Sequence, residues 1–442
     1  MIALRQRYIR IREPNLRLVN VAYARSEITP DHPLELSGFA ARQGRSEGVH
    51  DPLYCSALLL SGPARGGEER LLIVSLDLLA LPRELAFHLR SVAGQKLGLK
   101  ADQVAVCTTH THYAPATVFL RKAGQVDEEY VRYVKERFKE TVEALSEPRE
   151  AEITFSSAEA RGLVVNRAYG GFQDEGISAV HFNPKGGGKR ISLVNFSCHP
   201  VVLGPKSRLI SADYPAYVYS YYREKGEEAI FLNGASGDIN PYTSIGHLHF
   251  GGFEDAEKIG KSIADLTYED GETVAPLFSW GDRHVLLERE SLSVDEDTLK
   301  KLASEKMARG DHLNPVTGIP ERIEGEVLLD WLEDVKREKP EPVEAEAQAF
   351  AISQDVALVG FSGELFSSIG RQVKAGSPFR QTIVVGYANG VVGYIPDEKS
   401  FQLSTYEAAE AYKYYDVFPF KKDVGRAAAE AMISALHLAK GT

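Results

Sequence analysis

The chain has 442 residues, of which 43% are hydrophobic, and its formal net charge is −11 at neutral pH. A chain of this length fills one large domain or two ordinary ones, and its negative charge argues against nucleic acid or an anionic membrane as a partner. Three widely spaced cysteines exclude a disulfide framework. We find no signal peptide and no membrane-spanning run, so we expect a cytoplasmic protein without stable membrane insertion.

The first half of the chain mixes strand-like and helix-like segments. Residues 1–14 have the composition of a basic arm or a first strand. Apolar residues recur with helical spacing over 83–99, and an amphipathic helix with acids in its first turn is predicted over 127–145. Short apolar runs bounded by turn residues predict strands at 16–30, 56–62, 70–81, 104–109, 151–160, 178–184, 191–200 and 229–234.

The second half adds further strands around a charged region. Strands are predicted at 342–352, 356–364 and 382–390, and a helix is predicted at 423–440. The region at about 296–340 is rich in charge and contains two helical patterns, so we expect a charged helical insertion there. Because strands outnumber helices and only partly alternate with them, the expected fold class is α/β (mixed α+β). We expect one or two stacked mixed sheets flanked by helices, in a single large domain of residues 1–442.

Side chains suited to metal binding follow several of the predicted strands. The segment THTH contains His110 and His112, FSCHP contains His199, FSGELF contains Glu364, and NGVVGYIPDE contains Tyr394. In extended backbone, side chains two residues apart share a face, so both histidines of THTH can enter one cavity. Imidazole and carboxylate groups are zinc ligands, and a catalytic zinc ion keeps one position open for water.

Each of these residues also has an ordinary structural interpretation. A histidine such as His199 at a strand end is commonly hydrogen bonded in a structural role, and Glu364 is well placed to stabilise the N-terminus of a following helix. Tyr394 fits a core position. A second pair, His247 and His249, lies in a glycine-rich stretch that favours a surface loop, although a metal or substrate role stays open.

A serine hydrolase site is disfavoured by the spacing of the glycines. The segments GASGD (234–238) and GFSGE (360–364) are similar to a nucleophile elbow. Neither has glycine at both flanking positions of GxSxG, which the sharp turn of that motif requires.

At the level of motifs the chain resembles the catalytic domain of the neutral, non-lysosomal ceramidases. The resemblance covers about residues 18–420, and the THTH, GD-x-x-P and final GY to TYE segments are its most specific parts. The matching pieces, in order, are ITPDHPLELSGFA, GVHDPLY, THTHYAP, VVNRAYGG, NFSCHP, LISADYPAY, NGASGDINP, SGELF, NGVVGYIPDE and QLSTYEAAEAY.

The resemblance implies a role for each of several residues. It implies a zinc ion held by His110, His199, Glu364 and Tyr394. His112 then corresponds to a second active-site histidine that stabilises a developing oxyanion. Arg167 and Tyr406 correspond to polar residues of the substrate pocket. The zinc ligands implied are the same strand-end residues that the sequence itself brings forward.

Two features depart from that family. Its serine nucleophile precedes the proline of the GD-x-S-P segment, whereas this chain has Asn240 there, and an amide cannot form an acyl-enzyme. The family also usually carries a C-terminal immunoglobulin-like domain, which we do not expect in this chain.

We therefore expect a zinc-dependent hydrolase of a small amide-type substrate that uses metal-activated water, with Asn240 holding the substrate and Asp238 positioning its loop or a ligand histidine. A binding protein that has lost catalysis, or a metal-dependent esterase or phosphoesterase, stays open.

Overall fold

The structure is a computed structural model that describes residues 18–145, 147–244, 249–291, 294–335 and 338–441. The predicted basic arm at 1–14 and the histidine at 247 lie outside these described residues. Within the same ranges, no helix has both the length and the hydropathy needed to cross a bilayer.

The helices and strands of the described residues are as follows. The strands are β1 (Val19–Glu27), β2 (Gly48–Val49), β3 (Tyr54–Ala64), β4 (Gly67–Leu76), β5 (Val104–Thr108), β6 (Arg149–Glu159), β7 (Val164–Asn166), β8 (Gly176–Pro184), β9 (Ile191–Phe196), β10 (Leu209–Ile210), β11 (Glu228–Asn233), β12 (Ile239–Pro241), β13 (Glu272–Thr273), β14 (Pro276–Leu287), β15 (Val343–Ser353), β16 (Val356–Phe361), β17 (Glu364–Leu365), β18 (Gln381–Val385) and β19 (Tyr394–Ile395). The helices are α1 (Arg83–Leu97), α2 (Glu128–Glu143), α3 (Tyr214–Glu224), α4 (Phe253–Tyr268), α5 (Glu296–Ala308), α6 (Glu321–Val335), α7 (Ser367–Gly376), α8 (Glu398–Leu403), α9 (Tyr406–Ala409) and α10 (Val424–Lys440).

Most strands join one mixed sheet with the order β11-β9-β8-β6-β1-β3-β14-β15-β16-β18, to which β4, β5 and β13 are added by side pairings. Its two halves meet where β3 pairs with β14, and both contribute to one buried apolar cluster, with Ile73 and Leu193 from one half and Phe350 and Leu358 from the other. Helices α1 to α4 cover the outer face of the first half, and α7 and α10 cover the second. The predicted fold class, α/β (mixed α+β) with one or two mixed sheets flanked by helices in a single large domain, is confirmed, and the structure has one large mixed sheet.

The sequence did not predict α3, α4 or β14. Helix α3 has the sequence YPAYVYSYYRE, and its tyrosine and valine residues favour strands when taken alone. Two local signals specify the helix instead: the Asp213 carboxylate accepts the N–H of Tyr214, and Pro215 occupies the first turn. Packing of buried residues such as Tyr219 and Tyr222 then decides the conformation.

Loop contacts tie the two halves of the sheet together beside the ends of β5 and β11. The N–H of Asn389 donates to the carbonyl of Val106 at 2.7 Å, and the N–H of Gly386 donates to the carbonyl of Asn233 at 3.0 Å. These bonds bring the chain that follows β18 against the ends of β5 and β11. Since β5, β9 and β16 all end in this region, the side chains that follow them converge.

Candidate metal centre and active site

The backbone after β5 fixes the orientation of the THTH histidines. His110 has a φ angle of 66°, and its N–H donates to the carbonyl of Leu78 at 3.0 Å. Its Nδ1 atom lies 2.8 Å from the carbonyl oxygen of Leu79. A carbonyl only accepts, so the proton lies on Nδ1 and the Nε2 lone pair is left for another partner.

His199 is oriented in the same way from the end of β9. Its N–H donates to the carbonyl of Ile239 at 2.9 Å, and its Nδ1 atom lies 2.6 Å from the carbonyl oxygen of Ser236. The proton is therefore on Nδ1 here as well. The Nε2 atom of His199 is buried and has no hydrogen-bond partner, which is costly unless a ligand occupies the position.

Glu364 and Tyr394 reach the same place through a short parallel pairing. They face each other in the register of β17 and β19, and the N–H of Glu364 donates to the carbonyl of Gly393 at 3.0 Å. The Oε2 atom of Glu364 lies 3.2 Å from Nε2 of His110 and 3.4 Å from Nε2 of His199. The Nε2 atoms of His112 and His110 are 3.4 Å apart. His110, His112, His199 and Glu364 thus meet in one cluster, and Tyr394 lies opposite Glu364 in the strand register.

The electrostatics favour neutral imidazoles at His112 and His199 and an ionised carboxylate at Glu364. Burial, together with the Arg167 charge, lowers the pKa of His199 to about 3. Burial also lowers the pKa of His112 well below its usual value, helped by the neighbouring histidines. Burial alone would raise the pKa of Glu364, but the neighbouring His110 and His199 outweigh it and hold that pKa well below its usual range.

These residues fit a divalent metal ion. Among the described residues, His110, His112 and His199 form a group whose potential ligand nitrogens all lie within 4.8 Å of one another. Ligand atoms at about 2.0–2.2 Å from a tetrahedral zinc ion are separated by roughly 3.3 Å. The separations of 3.2 and 3.4 Å between the Glu364 oxygen and the nitrogens of His110 and His199 match that spacing. The unpartnered Nε2 of His199 gives a second, independent reason for a cation here.

Arg167 joins the predicted pocket residues. Its guanidinium donates to Asn240 Oδ1 at 3.1 Å, to the Tyr394 hydroxyl at 2.9 Å and to Glu407 at 3.0 Å. Burial alone would lower the pKa of Arg167, but the Tyr394 and Glu407 oxygens raise it above its usual value. This arginine therefore stays charged and fixes the phenol and the amide relative to each other.

Asn240 is fully buried and hydrogen bonded at both ends of its side chain. Its Oδ1 accepts from Arg167, and its Nδ2 donates to the Ser244 hydroxyl at 3.2 Å. It lies in β12, which pairs with β7. These hydrogen bonds therefore hold the Asn240 side chain in one orientation.

Asp238 stabilises the loop that leads to Asn240. Its carboxylate accepts the N–H of Ser367 at 2.6 Å, the Ser367 hydroxyl at 2.8 Å and the Asn166 amide at 2.6 Å. Its backbone carbonyl accepts the N–H of Arg167 at 2.8 Å. These contacts hold the loop of Asn240 against the start of α7 and beside Arg167.

Sequence reasoning missed several residues that contact the cluster. The Tyr387 ring stacks on His110 with centroids 3.9 Å apart, and its hydroxyl lies 2.9 Å from the Ser236 hydroxyl. The Tyr415 hydroxyl donates to Glu364. Tyr387 lies inside the predicted strand at 382–390 and had no strand-end signal, whereas Glu407, a partner of Arg167, directly follows Tyr406 and could have been found by that proximity. Tyr415 lies in the tyrosine-rich stretch YKYYD (412–416), whose composition fits a pocket, a core or an interface.

A cavity opens beside the cluster. Of the predicted site residues, His199 and Asp238 are fully buried outside the cavity wall. The others line the cavity: His110, His112, Arg167, Asn240, Glu364, Tyr394 and Tyr406. The Tyr406 ring stands 6.2 Å from the ring of Tyr394. The exposed His249 is not among the lining residues.

Comparison of the whole fold finds related solved structures. A neutral ceramidase from Pseudomonas aeruginosa superposes with a TM-score of 0.73 at 17% sequence identity, over 96% of this chain and 75% of that chain. A ceramidase complexed with C2 gives a TM-score of 0.73 at 19% identity, over the same shares of the two chains. The chain has a ceramidase-like fold. No protein-family model and no curated protein sequence matches it.

Proposed function

We propose that this protein is a zinc-dependent hydrolase of an amide-type C–N bond. The observation that carries the proposal is the separation of 3.2 to 3.4 Å between the Glu364 carboxylate and the Nε2 atoms of His110 and His199, on buried side chains at the edge of a cavity. The ceramidase-like fold supports the choice of an amide bond. Sites with two histidines and one carboxylate are a known arrangement of catalytic zinc.

His110, His199 and Glu364 would hold the ion, with Tyr394 as a further ligand. A bound zinc ion supplies a lowered water pKa and a polarised substrate carbonyl. The carbonyls of Leu79 and Ser236 hold the two imidazoles by their Nδ1 atoms, which presents both Nε2 atoms to the ion. Such outer contacts fix ring orientation and raise ligand basicity.

The remaining residues bind and orient the substrate. His112, kept neutral by burial, can donate one N–H to an oxygen that gains negative charge, as oxyanion donors do. Arg167 holds Asn240 and Tyr394 in the wall, so the substrate amide meets fixed polar groups. Tyr387 and Tyr415 contact Glu364 and hold its carboxylate in place.

Asn240 determines which form of hydrolysis fits the site. A carboxamide cannot be acylated and then released as a serine can, so water has to attack the substrate directly. Because both ends of the Asn240 side chain are already hydrogen bonded, its role is to hold the cavity wall against which the substrate is positioned. The same site without turnover would be a binding protein, and the experiment below separates the two.

The experiment is a hydrolysis screen on zinc-loaded protein. Small amides, esters and phosphoesters are compared for wild type, His110→Ala and a surface control, His32→Ala. We expect amide turnover that chelation removes, that His110→Ala abolishes and that His32→Ala leaves unchanged. Faster turnover of esters or phosphoesters would show that the protein cleaves one of those bonds in preference to an amide bond. Zinc binding without turnover of any substrate would contradict the proposed hydrolase activity and would indicate a binding protein.

A further inference from the structure

The cavity beside the candidate metal centre is small. Its volume is about 90 Å³. Pockets for drug-sized ligands commonly have roughly 300–1,000 Å³. The space beside the candidate metal centre therefore suits a small substrate.

The wall of this cavity combines polar and apolar residues. His112, Arg167 and Asn240 are its polar residues near the metal ligands. Apolar residues lie there too, since the Phe39 ring packs against His112 with centroids 4.8 Å apart. Further apolar lining is available to a short hydrocarbon group and comes from Leu79, Leu120, Ala123, Ile319 and Tyr414.

One stretch of this wall comes from the connection between α5 and α6. Thr317, Gly318 and Ile319 line the cavity and belong to a segment, 314–320, that we call the α5–α6 segment. Two backbone hydrogen bonds join the ends of this segment. The N–H of Gly318 donates to the carbonyl of Asn314 at 2.8 Å, and the N–H of Asn314 donates to the carbonyl of Ile319 at 2.9 Å. Its shape is therefore fixed by its own backbone.

The Glu324 carboxylate fastens this segment to α6. It accepts the Asn314 amide at 2.9 Å, the Lys306 ammonium at 2.6 Å and the Thr317 hydroxyl. The Glu324 side chain is only 5% exposed, so these bonds lie away from competing water. The segment is thus held by a buried charge rather than by surface contacts.

Packing beneath the segment holds it a second time. Ile323 and Val327 of α6 share a buried apolar cluster with Leu79, Leu120 and Tyr414 of the cavity wall. Moving the segment away from the cavity would break either these contacts or the Glu324 bonds. The fold therefore fixes the small volume of the cavity.

We propose that the α5–α6 segment limits the substrate to a compact amide with a short apolar group, and that Ile319 is a specificity-determining residue. This inference rests on the proposed amide hydrolysis, since part of the cavity is assigned to the amide itself. A longer chain leaves the cavity and gains no further apolar contact.

The test measures binding and turnover against chain length. Straight-chain carboxylates from acetate to decanoate are titrated into zinc-loaded protein by calorimetry, and the matching primary amides are assayed by ammonia release. In wild type, affinity is expected to rise roughly fourfold for each buried methylene and to stop rising well before decanoate. Ile319→Ala is expected to move that limit to longer chains.

Two further variants make the test specific. Val316→Ala changes a side chain of the same segment that is 63% exposed and does not line the cavity, so its chain-length limit is expected to match wild type. Glu324→Gln removes the charge that fastens the segment and is expected to broaden the limit. It also gives a second test if Ile319→Ala fails to fold.

The outcomes separate this inference from the proposed function. Affinity that keeps rising to decanoate in wild type, a limit that neither Ile319→Ala nor Glu324→Gln moves, or no binding of any carboxylate would each overturn the proposed limit. Turnover that increases steadily to decanamide would overturn it while the hydrolase stands. If Ile319→Ala shifts the chain-length limit for carboxylate binding but no amide is turned over, the proposed limit would be supported and the proposed hydrolase activity contradicted.

Discussion

The Nε2 atom of His110 lies 3.2 Å from the Oε2 atom of Glu364, although the two residues come from different halves of the sheet. The contact depends on the loop bonds that tie the segment after β18 to the ends of β5 and β11. It also depends on Leu79, whose carbonyl turns the imidazole toward the carboxylate. The candidate metal site is therefore a consequence of how the two halves stack.

His110 and His112 are expected to differ in what their loss removes. His110→Ala should abolish high-affinity zinc binding, because it removes a ligand atom. His112→Ala should keep about one zinc ion per chain and lower kcat by about 10²–10³, the usual cost of an oxyanion donor. Metal content after gel filtration and steady-state kinetics check both. Loss of zinc from His112→Ala would show that this histidine is itself a ligand.

Arg167 is expected to be needed for folding as well as for the site. Its side chain and that of Glu407 are 5% and 1% exposed, so Arg167→Met leaves a buried carboxylate without its partner. Such a change costs about 3–5 kcal/mol of unfolding free energy, which urea denaturation measures. Adding Glu407→Gln should recover part of the loss.

The matched control for Arg167 is a surface arginine. Arg161 pairs with Glu159, and both side chains are mostly exposed. Arg161→Met should leave the urea midpoint unchanged, because exposed ion pairs contribute little. Equal losses from Arg167→Met and Arg161→Met would contradict the role of burial.

Gly38 is expected to accept no side chain. A Cβ atom there would lie 2.4 Å from Nδ1 of His112, and the φ angle of 99° suits glycine. Gly38→Ala should therefore cost about 1–3 kcal/mol of unfolding free energy and lower activity by displacing His112. Gly66→Ala is the control, since nothing lies within 4 Å of its Cβ position. Full activity of Gly38→Ala would show that the His112 position is not critical.

Asp77 is expected to make the stability depend on pH. Burial raises its folded-state pKa to about 7, although it accepts the Tyr54 N–H and the Tyr219 hydroxyl. In the unfolded chain the pKa is about 3.9. The folded state therefore binds the proton more tightly, and the contribution of Asp77 to stability, present at low pH, is lost as pH rises toward 7.

The check compares wild type with Asp77→Asn by urea unfolding at pH 5 and pH 8. The unfolding free energy of wild type minus that of the variant should be larger at pH 5, by on the order of 1–3 kcal/mol. Asp213 and Asp238, whose pKa values burial also raises to about 7, titrate in both proteins and cancel in this difference. A difference that is equal at both pH values, or larger at pH 8, would exclude the proposed shift.

Much of the fold was predictable because its strands are dense apolar runs. The run at 70–81 overlaps β4, the run at 104–109 contains β5, and the pattern at 127–145 contains α2 with its Asp127 cap. Helix α3 was missed because its composition favours strands and only packing overrides it. Strand β14 was missed because its exposure follows no clean alternation.

The candidate site was predictable where its residues follow strands. His110, His199 and Glu364 each come at or just after a strand end, and chemistry alone brought them forward. Tyr387 and Tyr415 could not be found in this way, because their hydroxyls approach Glu364 only through tertiary contacts. Sequence also gave no sign that residues 317–319 line the cavity.

The most direct test of the metal centre is anomalous X-ray diffraction at the zinc edge from crystals of the zinc-loaded protein. The account predicts one strong peak within bonding distance of His110 Nε2, His199 Nε2 and Glu364. A peak only at Asp282, His284 and Glu346, the other group of potential ligands among the described residues, would contradict it. So would crystals that hold no zinc at either place.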